Sequence, residues 1–250
     1  MSLPLVEYLL RLGDDRLVLG HRLSEWCGHG PILEEDIATA NIALDLLGHA
    51  TMWLRLAGQL EGEGRDEDAL AYWRDEHEFR NLQLCELPNG DFGFTVLRQF
   101  LFDAWSLQLL DALTRSSHAD IAAIAGKALK ETRYHVRHSS EWVVRLGDGT
   151  AESQRRMQAA LDELWPWTGE LGYQDQVDQA LRAEDVVPEL ASLRPAWDAL
   201  TREVLTRATL AIPAGPARMT GGRFGRHTEH LGHMLAEMQI VARSHPGAKW

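Results

Sequence analysis

Apolar residues along this chain recur at steps of three and four, and no long alternating stretch argues for a sheet. The first helical stretch covers about 3–26 and is stopped by Gly28, Gly30 and Pro31. The second opens near Glu34, where Glu34, Glu35 and Asp36 suit the positive end of a helix dipole. It runs to about Leu60 and closes at Glu61-Gly62-Glu63-Gly64, a turn so short that the two helices must be antiparallel neighbours. A connection follows over about 66–91, with a short amphipathic piece around 69–84 and the turn signal Pro88-Asn89-Gly90. A third long helix is predicted over about 94–115, ending at Ser116-Ser117-His118-Ala119-Asp120. The fourth covers about 121–146, before Gly147-Asp148-Gly149.

Two long helices, a long connection and two more long helices make the layout of an all-α, ferritin-like four-helix bundle with one crossover. Further helices are predicted near 151–164, 190–211 and 226–243. No low-complexity linker or solenoid repeat interrupts the chain, so one domain is expected over 1–250. Its bundle core would cover about 3–147 and a helical extension about 151–245.

With 250 residues, 45% of them apolar, and nine tryptophans, the chain can bury a sizeable core. No stretch approaches the ~20 uninterrupted apolar residues of a membrane span. The N-terminal run has no basic region or cleavage pattern, which makes the cytoplasm the expected compartment. Cys27 and Cys85 form no paired-cysteine motif and are both expected to be buried thiols. The net charge of −12 argues against nucleic acid and would suit a basic partner, although a solvated acidic surface is the ordinary explanation. Lysines number only three, Lys127, Lys130 and Lys249, so arginine dominates the 25 basic residues. Arginine suits bidentate and partly buried ion pairs, as in an interface-rich protein.

The chemistry sits on the stripes that a bundle buries. The second helix presents Ala38, Ile42, Asp45, His49, Met52 and Leu56; the third presents Val96, Phe100, Asp103, Leu107 and Leu110. The fourth presents Ile124, Ala128, Glu131, His135, His138 and Trp142. Carboxylates amid apolar stripes must be paired, protonated or metal-bound. A di-iron centre uses one Glu from each of two helices and Glu-x-x-His from each of the other two. Here the spacing is Asp45-x-x-Gly48 and Glu131-x-x-Tyr134, with His49 and His135 each one residue late. A step of four keeps acid and imidazole on one face but changes their relative angle. Asp14, on the stripe Leu10, Asp14, Leu17 and His21, is a weak candidate for a fourth acid. The set therefore reads as a degenerate pseudo-site, with Lys130, Arg133 and Arg137 near enough in sequence to join a polar network. A working di-iron oxidase using Asp45, His49, Asp103, Glu131 and His135 is the alternative.

Other features point less far. His227, His230 and His233 step by three, with Glu237 beyond, but surface or interface histidines explain such a run more often than metal does. Pro166 should break the helix predicted near 151–164, and Trp165 and Trp167 are expected to tuck into the core rather than form a docking surface for another chain. The glycine-rich run Gly221-Gly222-Arg223-Phe224-Gly225 lacks the strand-to-helix context of a phosphate loop. No nucleophile motif is present, so no catalytic residue is nominated.

Several runs in order and spacing carry a resemblance: Leu12-Gly13-Asp14-Asp15, Ser24-Glu25-Trp26-Cys27-Gly28-His29 and Ala40-Asn41-Ile42-Ala43-Leu44-Asp45-Leu46-Leu47-Gly48. Asn89-Gly90-Asp91-Phe92, Lys130-Glu131-Thr132-Arg133-Tyr134-His135, His227-Thr228-Glu229-His230-Leu231-Gly232 and Pro246-Gly247-Ala248-Lys249-Trp250 continue it to the end of the chain. Together they resemble the PaaC family, the structural subunits of bacterial phenylacetyl-CoA epoxidases. The resemblance implies a ferritin-like subunit without metal or catalytic residues, whose acids are tied up by neighbouring side chains. It implies a homologous PaaA-type catalytic partner that holds di-iron and epoxidises the aromatic ring with oxygen. Electrons would come from NADPH through a reductase carrying FAD and an iron–sulfur centre. His49 stands where the family usually has glutamine.

Overall fold

The structure is a computed structural model that describes residues 3–215 and 220–248; Lys249 and Trp250 of the closing motif lie outside the described residues. All regular elements among the described residues are helical, as a ferritin-like bundle requires. Helix α1 (Leu3–Ser24) lies against α2 (Leu33–Glu61), and α5 (Phe92–Leu113) lies against α6 (Ala119–Gly147). Helix α2 ends where Gly62 adopts a left-handed conformation, φ 78°, which a residue without Cβ reaches at no steric cost. α5 starts at Asp91, whose carboxylate caps the Phe94 amide at 2.9 Å.

The connection between the two pairs carries α3 (Glu67–Tyr72), a single 3₁₀ turn at Glu76–Glu78 and α4 (Gln83–Glu86). The amphipathic piece expected over 69–84 is therefore broken into three. The reason is tertiary: the Arg80 and Leu82 amides leave the helical pattern to donate to Asp14 and Asp15 of α1, at 2.8 and 2.7 Å.

The extension carries α7 (Ala151–Leu164), a 3₁₀ segment at Trp165–Glu170, α8 (Gln176–Arg182), α9 (Leu190–Arg207) and α10 (Glu229–Ser244). Helices α7 and α9 pack on α5 and α6, α8 packs on α1, and α10 packs on α3. Pro166 ends α7 as expected, and Trp165 stacks on the fully buried Trp197 with ring centroids 5.9 Å apart. The Trp197 indole donates to the Leu101 carbonyl at 3.1 Å, binding the extension to the middle of α5. This covering explains why α5 is apolar nearly all round: neighbours enclose it on every side.

Three further expectations change. Helix α9 stops at Arg207 rather than near 211, and α8 escaped the periodicity because it is only seven residues long. Cys85 is buried as expected, but Cys27 is exposed, because α1 ends at Ser24 and leaves it in the following turn.

Candidate functional site

Helices α2 and α6 meet through two crossed pairs and, towards the start of α2, a third pair in which His138 Nε2 lies 2.8 Å from Glu35 Oε2. His49 Nε2 of α2 lies 2.5 Å from Glu131 Oε2 of α6, and His135 Nε2 of α6 lies 3.0 Å from Asp45 Oδ2 of α2. The spacing of four within each helix makes this exchange possible. It sets acid and imidazole one turn apart on the same face, so each faces the opposite kind of group on the neighbouring helix. The two imidazoles are buried, with ring centroids 6.3 Å apart, whereas both carboxylate side chains are about one-third exposed, at 36%. Asp103 of α5 lies deeper, 1% exposed, with Gln99 Nε2 donating to Oδ1 at 2.7 Å and Ser139 Oγ 2.9 Å from Oδ2.

Burial, and then the positive charge of Arg16, pushes His49 down to about 3. Burial also lowers His135, against the pull of its Asp45 hydrogen bond. Both rings are therefore neutral near pH 7, each donating from Nε2 to a carboxylate while its buried Nδ1 has no partner. Burial raises Asp103 to about 7 in spite of the Ser139 and Gln99 hydrogen bonds. Proton counting agrees. Ser139 has one hydroxyl hydrogen but sits near two acceptors, Asp103 Oδ2 and the His135 carbonyl at 2.8 Å. A protonated Asp103 resolves this by donating to Ser139, which then donates to His135.

As a di-iron cradle the donor set does not fit. The fourth acid is missing, because Asp14 is turned into a different cluster: both its oxygens are held by Arg74 and one also by the Arg80 amide at 2.8 Å. In its stead α1 contributes Arg16, 1% exposed, whose guanidinium donates to Ser106 of α5 at 3.0 Å and depresses both histidines by its charge. A fixed cation close enough to act on both histidines opposes the charge of a bound metal.

The fold brings Asp45, His49, Asp103, Glu131 and His135 to one region, as their spacing predicts, but turns Asp14 away from it. Arg16, Gln99 and Ser139 were missed. Ser139 was within reach, being one turn beyond His135 on the same face; Arg16 was not, since it lies beside the stripe chosen for α1. Lys130, Arg133 and Arg137 stay on the surface and do not join the network.

The chain is similar to known proteins along nearly its whole length. The family model for phenylacetic acid catabolic proteins, which spans PaaA and PaaC types, matches residues 2–250. The chain belongs to that family. The 1,2-phenylacetyl-CoA epoxidase of Escherichia coli (strain K12) has a C-type subunit that is 51% identical over 246 residues, covering 98% of this chain and 99% of that protein.

Two more polar clusters in this family member lie outside the bundle centre, and both use motifs that periodicity left unexplained. His227 precedes α10 rather than sharing its face with His230 and His233, so the expected three-histidine stripe does not form. Its ring is clamped between Glu86 Oε2, 2.8 Å from Nδ1, and the Phe79 carbonyl, 3.0 Å from Nε2. The glycine-rich run does cradle a carboxylate, one supplied by the chain itself. Glu170 accepts from the Gly221 and Gly222 amides at 2.6 and 2.8 Å and from the Gln83 amide at 2.8 Å. Glycine is required at 222, where a Cβ would lie 2.0 Å from the Asn81 carbonyl oxygen. Replacing Glu170 by alanine leaves three buried amides without an acceptor and is expected to lower stability by about 2 kcal/mol. The midpoint of urea unfolding checks this.

Among the described residues no helix is long and apolar enough to cross a membrane.

Proposed function

We propose that this chain is the non-catalytic, structural subunit of a cytoplasmic 1,2-phenylacetyl-CoA epoxidase in phenylacetate degradation. The observation that carries the reading is the crossed box. Each of its carboxylates is satisfied by a histidine of this chain, Asp103 is satisfied by Gln99 and Ser139, and a buried arginine takes the place of the fourth acid. The 51% identity to a protein named as part of a 1,2-phenylacetyl-CoA epoxidase supports the pathway.

On this reading the chain needs no cofactor of its own. A homologous PaaA-type subunit holds the di-iron centre, and a reductase with FAD and iron–sulfur passes it electrons from NADPH. The bundle of this chain packs beside the catalytic bundle and fixes the helices that carry its ligands, since scaffold placement tunes a metal site. An obligate pair of this kind buries more than the ~1,600 Å² of a standard interface.

The test is iron and activity in one preparation. Co-expressed with the other epoxidase subunits, the chain is expected to co-purify, and the Glu131→Gln, His135→Gln double variant to retain epoxidation within about threefold. Two irons per chain in the isolated protein, lost in that variant, would instead establish a di-iron oxidase built on Asp45, His49, Asp103, Glu131 and His135.

A further inference from the structure

The chain has 37 acidic residues and 25 basic ones, so an ordinary stretch of its surface should be acid-rich. One face is not. Along α2 the exposed positions step by four and three from Ile37 through Leu44 and Gly48 to Arg55, and none is acidic. Along α6 the exposed positions between 121 and 140 are Ala123, Lys127, Lys130, Arg133, Tyr134 and Arg137, again without an acid. Among the described residues the carboxylates between the two lines are Asp45, Glu131 and, towards the start of α2, Glu35, and each is engaged by a histidine of the neighbouring helix, His135, His49 and His138 respectively. Among the described residues Lys127, Lys130 and Arg133 have no carboxylate within ion-pair distance.

The same face is apolar where solvent-exposed helices are usually charged. Ile37 is 52% exposed, Leu44 66% and Tyr134 41%, and a Cβ at Gly48 would meet nothing within 4 Å. Exposed lines at steps of four and three on two adjacent helices are the ridges that another helical layer interlocks with.

We propose that this α2–α6 face docks a partner protein through two packed helices that carry a surplus of aspartate and glutamate around an apolar strip. The partner is not a second copy meeting the same face, because a two-fold contact would set Lys127, Lys130 and Arg133 against themselves. Nor is it a small anion: Lys127, Lys130 and Arg133 are all exposed, so none of them offers a desolvated charge to hold one. This inference rests on the reading of the chain as a subunit and adds which of its surfaces makes the assembly.

The wild-type chain is co-expressed with the remaining epoxidase subunits, and its affinity for them is measured as a function of salt. The comparison is with Lys127→Glu, Lys130→Glu, Arg133→Glu combined, with Leu44→Glu, and with Arg202→Glu, an exposed position on α9. Circular dichroism confirms that each variant is folded. Wild-type affinity is expected to fall with salt, the triple variant and Leu44→Glu to bind at least about tenfold more weakly, and Arg202→Glu to bind normally. Assembly of wild type with undiminished binding by both face variants overturns this surface while leaving the subunit reading intact; failure of wild type to assemble overturns that reading itself. Self-association of the isolated chain, or its capture by anionic vesicles, abolished by the triple variant with subunit assembly intact, would also overturn the docking proposal.

Discussion

Asp14→Ala is expected to destabilise the protein by about 3–5 kcal/mol, more than any other carboxylate removed from the four bundle helices. Asp14 has no exposed surface, and its partner Arg74 is 3% exposed at the side chain. The pair joins α1 to the connection between the helix pairs. Arg74 donates twice to Asp14, donates to the Leu70 and Glu78 carbonyls, and stands over the Phe79 ring at 4.3 Å. Removing the acid leaves a guanidinium in a low-dielectric interior with its charge uncompensated, and leaves the Arg80 amide without its acceptor. Removing both charges together should cost far less, because an apolar pair of similar volume needs no desolvation. Urea unfolding of Asp14→Ala, Arg74→Met and Asp14→Leu/Arg74→Met measures this coupling. Near-additive single and double effects would show that the ion pair does not carry the stability.

Glu86→Ala is expected to cost about as much, about 3–5 kcal/mol, and to change the dependence of stability on pH. Glu86 is fully buried and accepts from the Asn81 amide, the Thr228 amide and the His227 ring. Both nitrogens of His227 face acceptors, so both must carry hydrogen and the ring is an imidazolium. Burial works against that charge, but the hydrogen bond and charge of Glu86, with the Phe79 carbonyl, outweigh it and raise the pKa above the ordinary value.

The sign follows from linkage. With the folded pKa raised, the His227 contribution is fully present below the unfolded histidine pKa of about 6.5. It is lost as pH rises through the folded value. The stability difference between wild type and His227→Gln should therefore shrink from pH 6 to pH 8.5, and Glu86→Ala should abolish the His227-linked part of the slope. A difference independent of pH would show that the ring is not charged in the fold. Taking differences is necessary because Asp103, raised to about 7, also makes stability fall with rising pH, over the range from its unfolded value up to 7.

Neither cluster was legible beforehand. Asp14 looked like a candidate ligand because it lies on an apolar stripe, but a stripe gives an angle around one helix and says nothing about what faces it. Arg74 and Arg80 face it from a connection whose path depends on the very contacts in question. His227 looked like part of a helical histidine face because a step of three is helical in itself. With its N-cap at Thr228, the helix starts at Glu229, two residues too late to include it. In the bundle centre the outcome was better. Asp45, His49, Glu131 and His135 were on the right helices and faces, and their late histidines were already visible. What spacing could not say was that each histidine answers the acid of the other helix.

Periodicity, caps and turn residues act over a few neighbouring positions, so the sequence by itself determined the four long helices, their order, the short turn that makes the first two antiparallel, and the shared depth of the acids and histidines. Runs matched across the chain also determined the family. The pairing of Asp45 with His135 and Glu131 with His49, the entry of Arg16 in place of a fourth acid, and the surfacing of the basic face of α6 were decided only by the tertiary structure. Those contacts join residues up to 90 positions apart. Which of several polar partners a buried carboxylate meets depends on how the helices are rotated and packed, a cooperative result of the whole core that no local pattern carries.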